Sequence, residues 1–223
     1  ELGLQWGAWA LLGGVALAGV ALAFTLPAPA QATLAQRAPL WAVFRPLLPL
    51  WLMVVCRHIV FMSFSTYLTF LLMRRGLSFE QASGIGLFVF MLGTAFGSLT
   101  GGPLSDRFGR RAMIVASFLG VVPLLWLFLN TQGAPSLVWL ALSGVVLVSN
   151  NPVIVAYAQE RVPGHAATAS AVAMGLGWLG GAACVIAVGL LADRIGVEAA
   201  LGFVIWSPLL AAALAWRVVD RGS

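Results

Sequence analysis

The sequence predicts an all-α, polytopic integral membrane helical bundle, and three observations carry that prediction. Hydrophobic residues fill 61% of the 223 positions and the mean hydropathy is +0.99, which exceeds what a soluble core requires. The apolar residues fall into runs near 6–26, 48–73, 82–104, 112–130, 136–158, 167–192 and 199–217, each long enough to cross a hydrocarbon core of ~30 Å. The charged residues, only 9% of the chain, gather mostly where those runs end.

Residues 6–26 open the chain without a basic leader or a small-residue cleavage context, and residue 1 is Glu. They read as a mature span and not as a signal peptide, in a chain expected to begin in mid-protein. Residues 27–47 follow, with Pro27, Pro29 and Pro39 among Ala, Gln and Thr. This is a flexible or partly extended linker and the expected boundary between two units.

The basic balance of +5 is carried by Arg alone, since the chain has no Lys. The arginines are scattered over the span ends and form no patch, so nucleic acid is excluded as a partner. Without Lys there is no phosphate-binding G-x-x-x-x-G-K-[ST] loop, which excludes an ATP-driven pump. Cys56 and Cys184 lie inside apolar runs and read as packing residues. No cofactor or metal site is expected, and nothing suggests an enzyme.

In the run 48–73, Arg57 and His58 interrupt apolar sequence at a depth of ~12 Å counted from Pro49, an expensive placement in lipid. Two readings follow: Arg57 lines an interior cavity, which the depth favours, or it snorkels back to the headgroups. His58, Ser65 and Thr69 share one helical face. The run 82–104 carries Gly93, Gly97 and Gly101 at four-residue spacing, a seam for close helix packing. In the run 136–158, Ser149-Asn150-Asn151-Pro152 puts polar side chains and a helix breaker at membrane depth. Ser143, Asn150 and Tyr157 recur every seven residues, and Asn150 should lie level with Arg57. Arg57, His58, Ser65, Asn150, Asn151 and Tyr157 are therefore candidates for one polar substrate cavity; the alternative is that the asparagines only satisfy backbone freed by Pro152. Gly177, Gly180 and Gly181 make a second smooth surface in the run 167–192. The turn Asp193-Arg194-Ile195-Gly196 closes that run with a capping and topological role.

The most informative stretch is Gly102-Pro103-Leu104-Ser105-Asp106-Arg107-Phe108-Gly109-Arg110-Arg111, a charged turn between two apolar runs. Glycine there lets helices approach and takes up positive φ, tasks suited to Gly102 and Gly109. Asp106 and Arg110 are four apart, so a short helical segment would pair them. The pattern G-x-L-x-D-R-x-G-R-R resembles the signature loop of the major facilitator superfamily. The resemblance implies that residues 1–26 hold the last helix of an incomplete N-terminal half, that 27–47 is the central cytoplasmic linker, and that 48–219 is the C-terminal six-helix transporter half. It also implies that Gly102, Asp106, Arg107, Gly109, Arg110 and Arg111 form a conformational gate, with Asp106 facing a helix N-terminus of the missing half. A simple positive-inside anchor would explain the arginines but neither the aspartate nor the glycines.

With the linker in the cytoplasm, Arg37, Arg45, Arg107, Arg110, Arg111, Arg161, Arg217 and Arg221 lie inside, against Arg74, Arg75 and Arg194 outside. That excess agrees with the orientation. Glu160-Arg161-Val162-Pro163-Gly164, Arg57 and the glycine-rich run 167–192 look like the fosmidomycin-resistance branch of drug exporters. That likeness implies proton-coupled efflux of small amphipathic or anionic compounds by a multi-pass protein of a bacterial inner membrane. Its partners would be membrane lipid, a small-molecule substrate, protons and the missing N-terminal half. A sugar or metabolite importer of the same superfamily and a truncated non-transporting scaffold are the alternatives.

Overall fold

The computed structural model describes residues 40–219; the first predicted span and most of the linker lie outside the described residues. These are helical apart from short connecting turns, with no strand among them. Six helices are long and apolar enough to cross a membrane: α1 (Leu40–Arg74), α2 (Phe79–Phe108), α3 (Arg110–Asn130), α4 (Ala134–Arg161), α5 (Ala166–Ile195) and α6 (Val197–Val218). They coincide with the last six predicted runs.

The start of α1 corrects the expected end of the linker at residue 47. The helix begins at Leu40 and continues through Pro46 and Pro49, because proline costs one backbone hydrogen bond but does not end a long apolar helix whose neighbours support it. Trp41, Phe44 and Trp51 stack along this first part, with ring centroids 5.8 and 5.7 Å apart. Further on, Leu47, Leu50, Val54, Arg57, Phe64, Leu68 and Leu71 form a buried stripe at helical spacing. Arg57 is in phase with that stripe, which is why it points inward.

Ser78 opens α2 with a capping box, its Oγ accepting from the Gln81 backbone at 3.3 Å while the Gln81 side chain accepts from the Ser78 backbone at 3.2 Å. A π-helical turn follows at Ala82–Gly86, and a second occupies Val172–Leu176 in α5. The helices carrying them also end alike: Gly109 (φ 83, ψ 147) closes α2 and Gly196 (φ 90, ψ 153) closes α5. Only glycine holds such angles without strain. The repeated Asp-Arg-x-Gly sequence is thus a repeated turn, used once at each end of the bundle.

Two glycine seams set the interhelix distances. A Cβ on Gly93, Gly97 or Gly101 of α2 would overlap the backbone carbonyl of Ala141, Val145 or Ser149 of α4, respectively, and a Cβ on Gly144 would meet Phe90 in return. Backbone therefore touches backbone along three turns. On the other side, Gly177 and Gly181 of α5 lie against Val54 and His58 of α1, and Gly180 against Val55. The apolar core sits between these seams and one rim, where Phe64 packs on Phe90 and Phe128 at centroid distances of 6.1 and 6.0 Å.

Each rim is fastened by arginine. At one, Arg75 donates to the carbonyls of Phe128 and Thr131 at 3.0 and 3.1 Å, pairs with Glu198 at 2.6 Å and covers the Phe128 ring. It satisfies carbonyls that the end of α3 leaves without helical partners and ties α1 to α3 and α6. At the other rim, Arg110 pairs with Glu160. Arg111 lies over Trp216 and donates to its carbonyl, and Arg161 donates to the Val218 carbonyl at 2.8 Å.

Replacing Gly97 by Ala should lower stability by about 1–3 kcal/mol, since the opposing carbonyl belongs to backbone that cannot step aside. Gly102→Ala, which meets nothing within 4 Å, should leave it unchanged or raise it by up to ~1 kcal/mol through helix propensity. Thermal unfolding of the detergent-solubilised protein reads both; equal effects would remove the seam as the reason.

Candidate functional site

The helix α4 breaks at Asn150. Pro152 has no N–H to offer the carbonyl of Val148, and the Asn150 N–H turns to that carbonyl instead. The break leaves the Asn150 side chain fully buried, with Nδ2 donating to Ser117 Oγ at 2.8 Å and Oδ1 accepting from Arg57 Nη1 at 3.0 Å. The expected approach of Arg57 to Asn150 is thus a direct hydrogen bond. Arg57 is 4% exposed, so it does not snorkel, and Asn150 does not spend its side chain on the backbone freed by Pro152.

Arg57 forms one wall of a cleft of about 290 Å³ between α1, α2, α4 and α5. His58 and Phe61 share that wall. Thr94, Ala95 and Ser98 contribute from α2, Val148 and Asn151 from α4, and Met174 and Trp178 from α5. His58, Phe61 and Trp178 pack as a ring cluster, the His58 and Trp178 centroids 5.3 Å apart and those of Phe61 and Trp178 6.1 Å. Phe61 also rests on Phe90 at 6.0 Å, which joins the cleft to the core. His58 Nδ1 lies 2.9 Å from the Val54 carbonyl, so this nitrogen carries the proton and Nε2 is the acceptor in the neutral ring. Thr94 and Ser98 donate their hydroxyl protons to carbonyls one turn back, leaving lone pairs for a ligand. Among the described residues the carboxylates are Glu80, Asp106, Glu160, Asp193 and Glu198, all near helix ends. Arg57 therefore has a neutral partner and no carboxylate counter-ion here.

Four expected cavity residues fall at or directly behind the cleft, and two do not. Arg57, His58 and Asn151 line it, and Asn150 lies behind Arg57. Ser65 donates to the Phe61 carbonyl at 2.7 Å within its own helix and is not on the wall. Tyr157 sits at the Arg110 rim, donating to the Val218 carbonyl at 3.2 Å. Ser143, Asn150 and Tyr157 do form a stripe, but it is 0%, 0% and 7% exposed and faces neighbouring helices. The missed wall of α2 had a signal: Thr94 and Ser98 each follow a seam glycine and so occupy the adjacent face.

The charged turn departs from expectation in two respects. Arg110 pairs with Glu160 and not with Asp106, because the Gly109 turn puts Asp106 on the end of α2 and Arg110 on the start of α3, so no continuous helix links them. Asp106 and Arg107 are exposed. Gly109 has the expected positive φ, whereas Gly102 is an ordinary helical residue facing open space.

The Major Facilitator Superfamily model matches residues 79–223. An uncharacterized MFS-type transporter, YfnC, of Bacillus subtilis (strain 168) is 42% identical over 135 residues, which are 60% of this chain and 32% of that protein. The fosmidomycin resistance protein of Escherichia coli (strain K12) is 34% identical over 168 residues, 71% of this chain and 39% of that protein. The chain thus matches 32% and 39% of these relatives' lengths.

If the cleft binds ligand, Trp178→Ala should weaken binding roughly tenfold, as expected for an aromatic wall residue. Ser65→Ala should change it less than about twofold. Isothermal titration in detergent compares the two, and a larger effect from Ser65 would move the site away from this cleft.

Proposed function

Since the chain belongs to the Major Facilitator Superfamily and is a multi-pass membrane protein of transporter type, we propose that it is the C-terminal portion of a secondary active exporter of small anionic or amphipathic compounds, driven by protons. The observation that carries this reading is Arg57. Among the described residues this buried guanidinium has only a neutral partner and no charge compensation, and a low-dielectric site makes a bound anion its natural complement. Around it stand Phe61, Trp178 and Met174, surfaces that accept apolar bodies of varied shape. A ligand with an acidic head and an apolar body fits both. The relative named for fosmidomycin resistance supports the direction of transport, outward from the cytoplasm. A sugar site would call for more paired amides and carboxylates than Asn151 alone supplies.

In this reading the rim bearing Arg107, Arg110 and Arg111 faces the cytoplasm, as the excess of arginine there requires. The described helices hold no carboxylate at depth, so an acid that carries the coupled proton lies in the preceding half or is absent. Exposed Asp106 faces a helix N-terminus of that half in one transporter state. Such a contact contributes a few tenths to ~1 kcal/mol, enough to shift two nearly balanced conformations.

The test is efflux. Cells carrying the whole transporter are loaded with fosmidomycin, and its loss is followed with and without an uncoupler. Export that the uncoupler abolishes is expected, slowed strongly by Arg57→Ala and less by Arg57→Lys, which keeps the charge but loses the fork. Retention of the drug, combined with uptake of a sugar, would overturn the proposal.

A separate measurement addresses the gate. Asp106→Asn should lower the export rate several-fold at nearly unchanged membrane level, because a contact worth ~1 kcal/mol shifts a balanced equilibrium by roughly fivefold. Parallel loss of protein and of export would instead make Asp106 an anchor.

A further inference from the structure

The hydrogen bonds behind Arg57 have a single possible direction. Arg57 has only donors to give, so its Nη1 donates to Asn150 Oδ1 at 3.0 Å. That fixes the amide with Nδ2 towards Ser117, donating to Oγ at 2.8 Å. Ser117 in turn donates its hydroxyl proton to the Ile114 carbonyl at 2.8 Å. The relay begins on a cation and ends on a backbone acceptor, and every member is at least nine-tenths buried or belongs to the backbone. It anchors Arg57 without taking up its charge.

We propose that Asn150 sets the charge selectivity of the cleft: by accepting from Arg57 as a neutral amide where a carboxylate of the same shape would fit, it leaves the guanidinium charge for an anionic ligand. This rests on the reading of the cleft as the substrate site. The isosteric Asn150→Asp change would neutralise Arg57 in place. The relay accommodates it, since the Ser117 hydroxyl can rotate and donate to the new oxygen while the Ile114 carbonyl keeps its helical bond. The cleft would keep its walls and its volume but would carry no net charge on that side. Asn150 acts here as a positioning and specificity residue that need not touch the ligand. A role in packing alone would lower affinity for charged and uncharged ligands together, whereas a role in charge selectivity separates them.

The experiment uses the whole transporter in detergent and two probes that differ in charge, fosmidomycin and an uncharged dialkyl ester of it. For Asn150→Asp, fosmidomycin affinity should fall at least roughly tenfold while ester affinity changes less than about threefold, as a lost charge complement requires. Equal losses for both probes, or an unchanged preference for the anion, would overturn the inference. Arg57→Ala is measured beside it: if that variant binds fosmidomycin like the parent, the cleft is not the anion site and the underlying reading falls. If Arg57→Ala loses the anion and Asn150→Asp does not, the reading stands and the role of Asn150 alone is refuted. Should Asn150→Asp fail to accumulate, Ser117→Asp places the carboxylate one hydrogen bond further from Arg57, and a smaller shift of the same sign is expected; no shift overturns the proposal.

Discussion

A guanidinium buried midway along a membrane helix must have a hydrogen-bond acceptor, and much of this structure follows from how that requirement is met. The acceptor is an amide at the break in α4. A continuous helix would bond its own backbone there, while the proline beyond Asn150 forces the turn. The break lies directly after Ser149, whose carbonyl receives the last glycine of the α2 seam. Seam, break and cation are thus one local arrangement, and the cleft opens beside it. Were α2 held further from α4 by side chains, its hydroxyl-bearing face would not reach the space in front of Arg57.

The two rims answer a different constraint. Helix ends leave carbonyls without partners, and here arginine side chains supply the donors. Arg75 serves the end of α3, and Arg111 and Arg161 serve the end of α6. Arginine suits this task better than lysine because its planar fork reaches several acceptors at once, which gives the lysine-free composition a structural use. The Arg110–Glu160 pair is largely exposed, so its contribution to stability is small; its position beside the charged turn matters more than its strength.

Much of this was legible in the sequence, for identifiable reasons. Span positions follow from hydropathy, and the glycine seam from four-residue spacing, because both are local periodicities. The meeting of Arg57 with Asn150 was legible because both lie at the same depth and both need a partner there. What failed was the step from sharing a stripe to sharing a cavity. Ser143 and Tyr157 lie in line with Asn150, but that line faces helices α3 and α6 and not the open space. Likewise the four-residue interval between Asp106 and Arg110 implied a pair only if one helix spanned both, and Gly109 prevents that. The start of α1 lies before the expected one because the apolar run was counted from about Pro49, whereas the helix already begins at Leu40 and runs through Pro46 and Pro49. The Arg75 clasp and the place of Trp178 in the cleft depend on contacts between distant segments, which no local pattern encodes.

The seam between α2 and α4 also behaves as a rack. Its glycines recur every four residues, and each sits over a carbonyl that recurs every four residues on the partner. Registers in which every glycine again meets a carbonyl are about 6 Å apart, at 1.5 Å per residue. Between them each glycine would leave its carbonyl and the close fit of the two backbones would be lost. That fit favours movement of α2 and α4 as one body over gliding of one along the other, so that a push on either helix is carried by both.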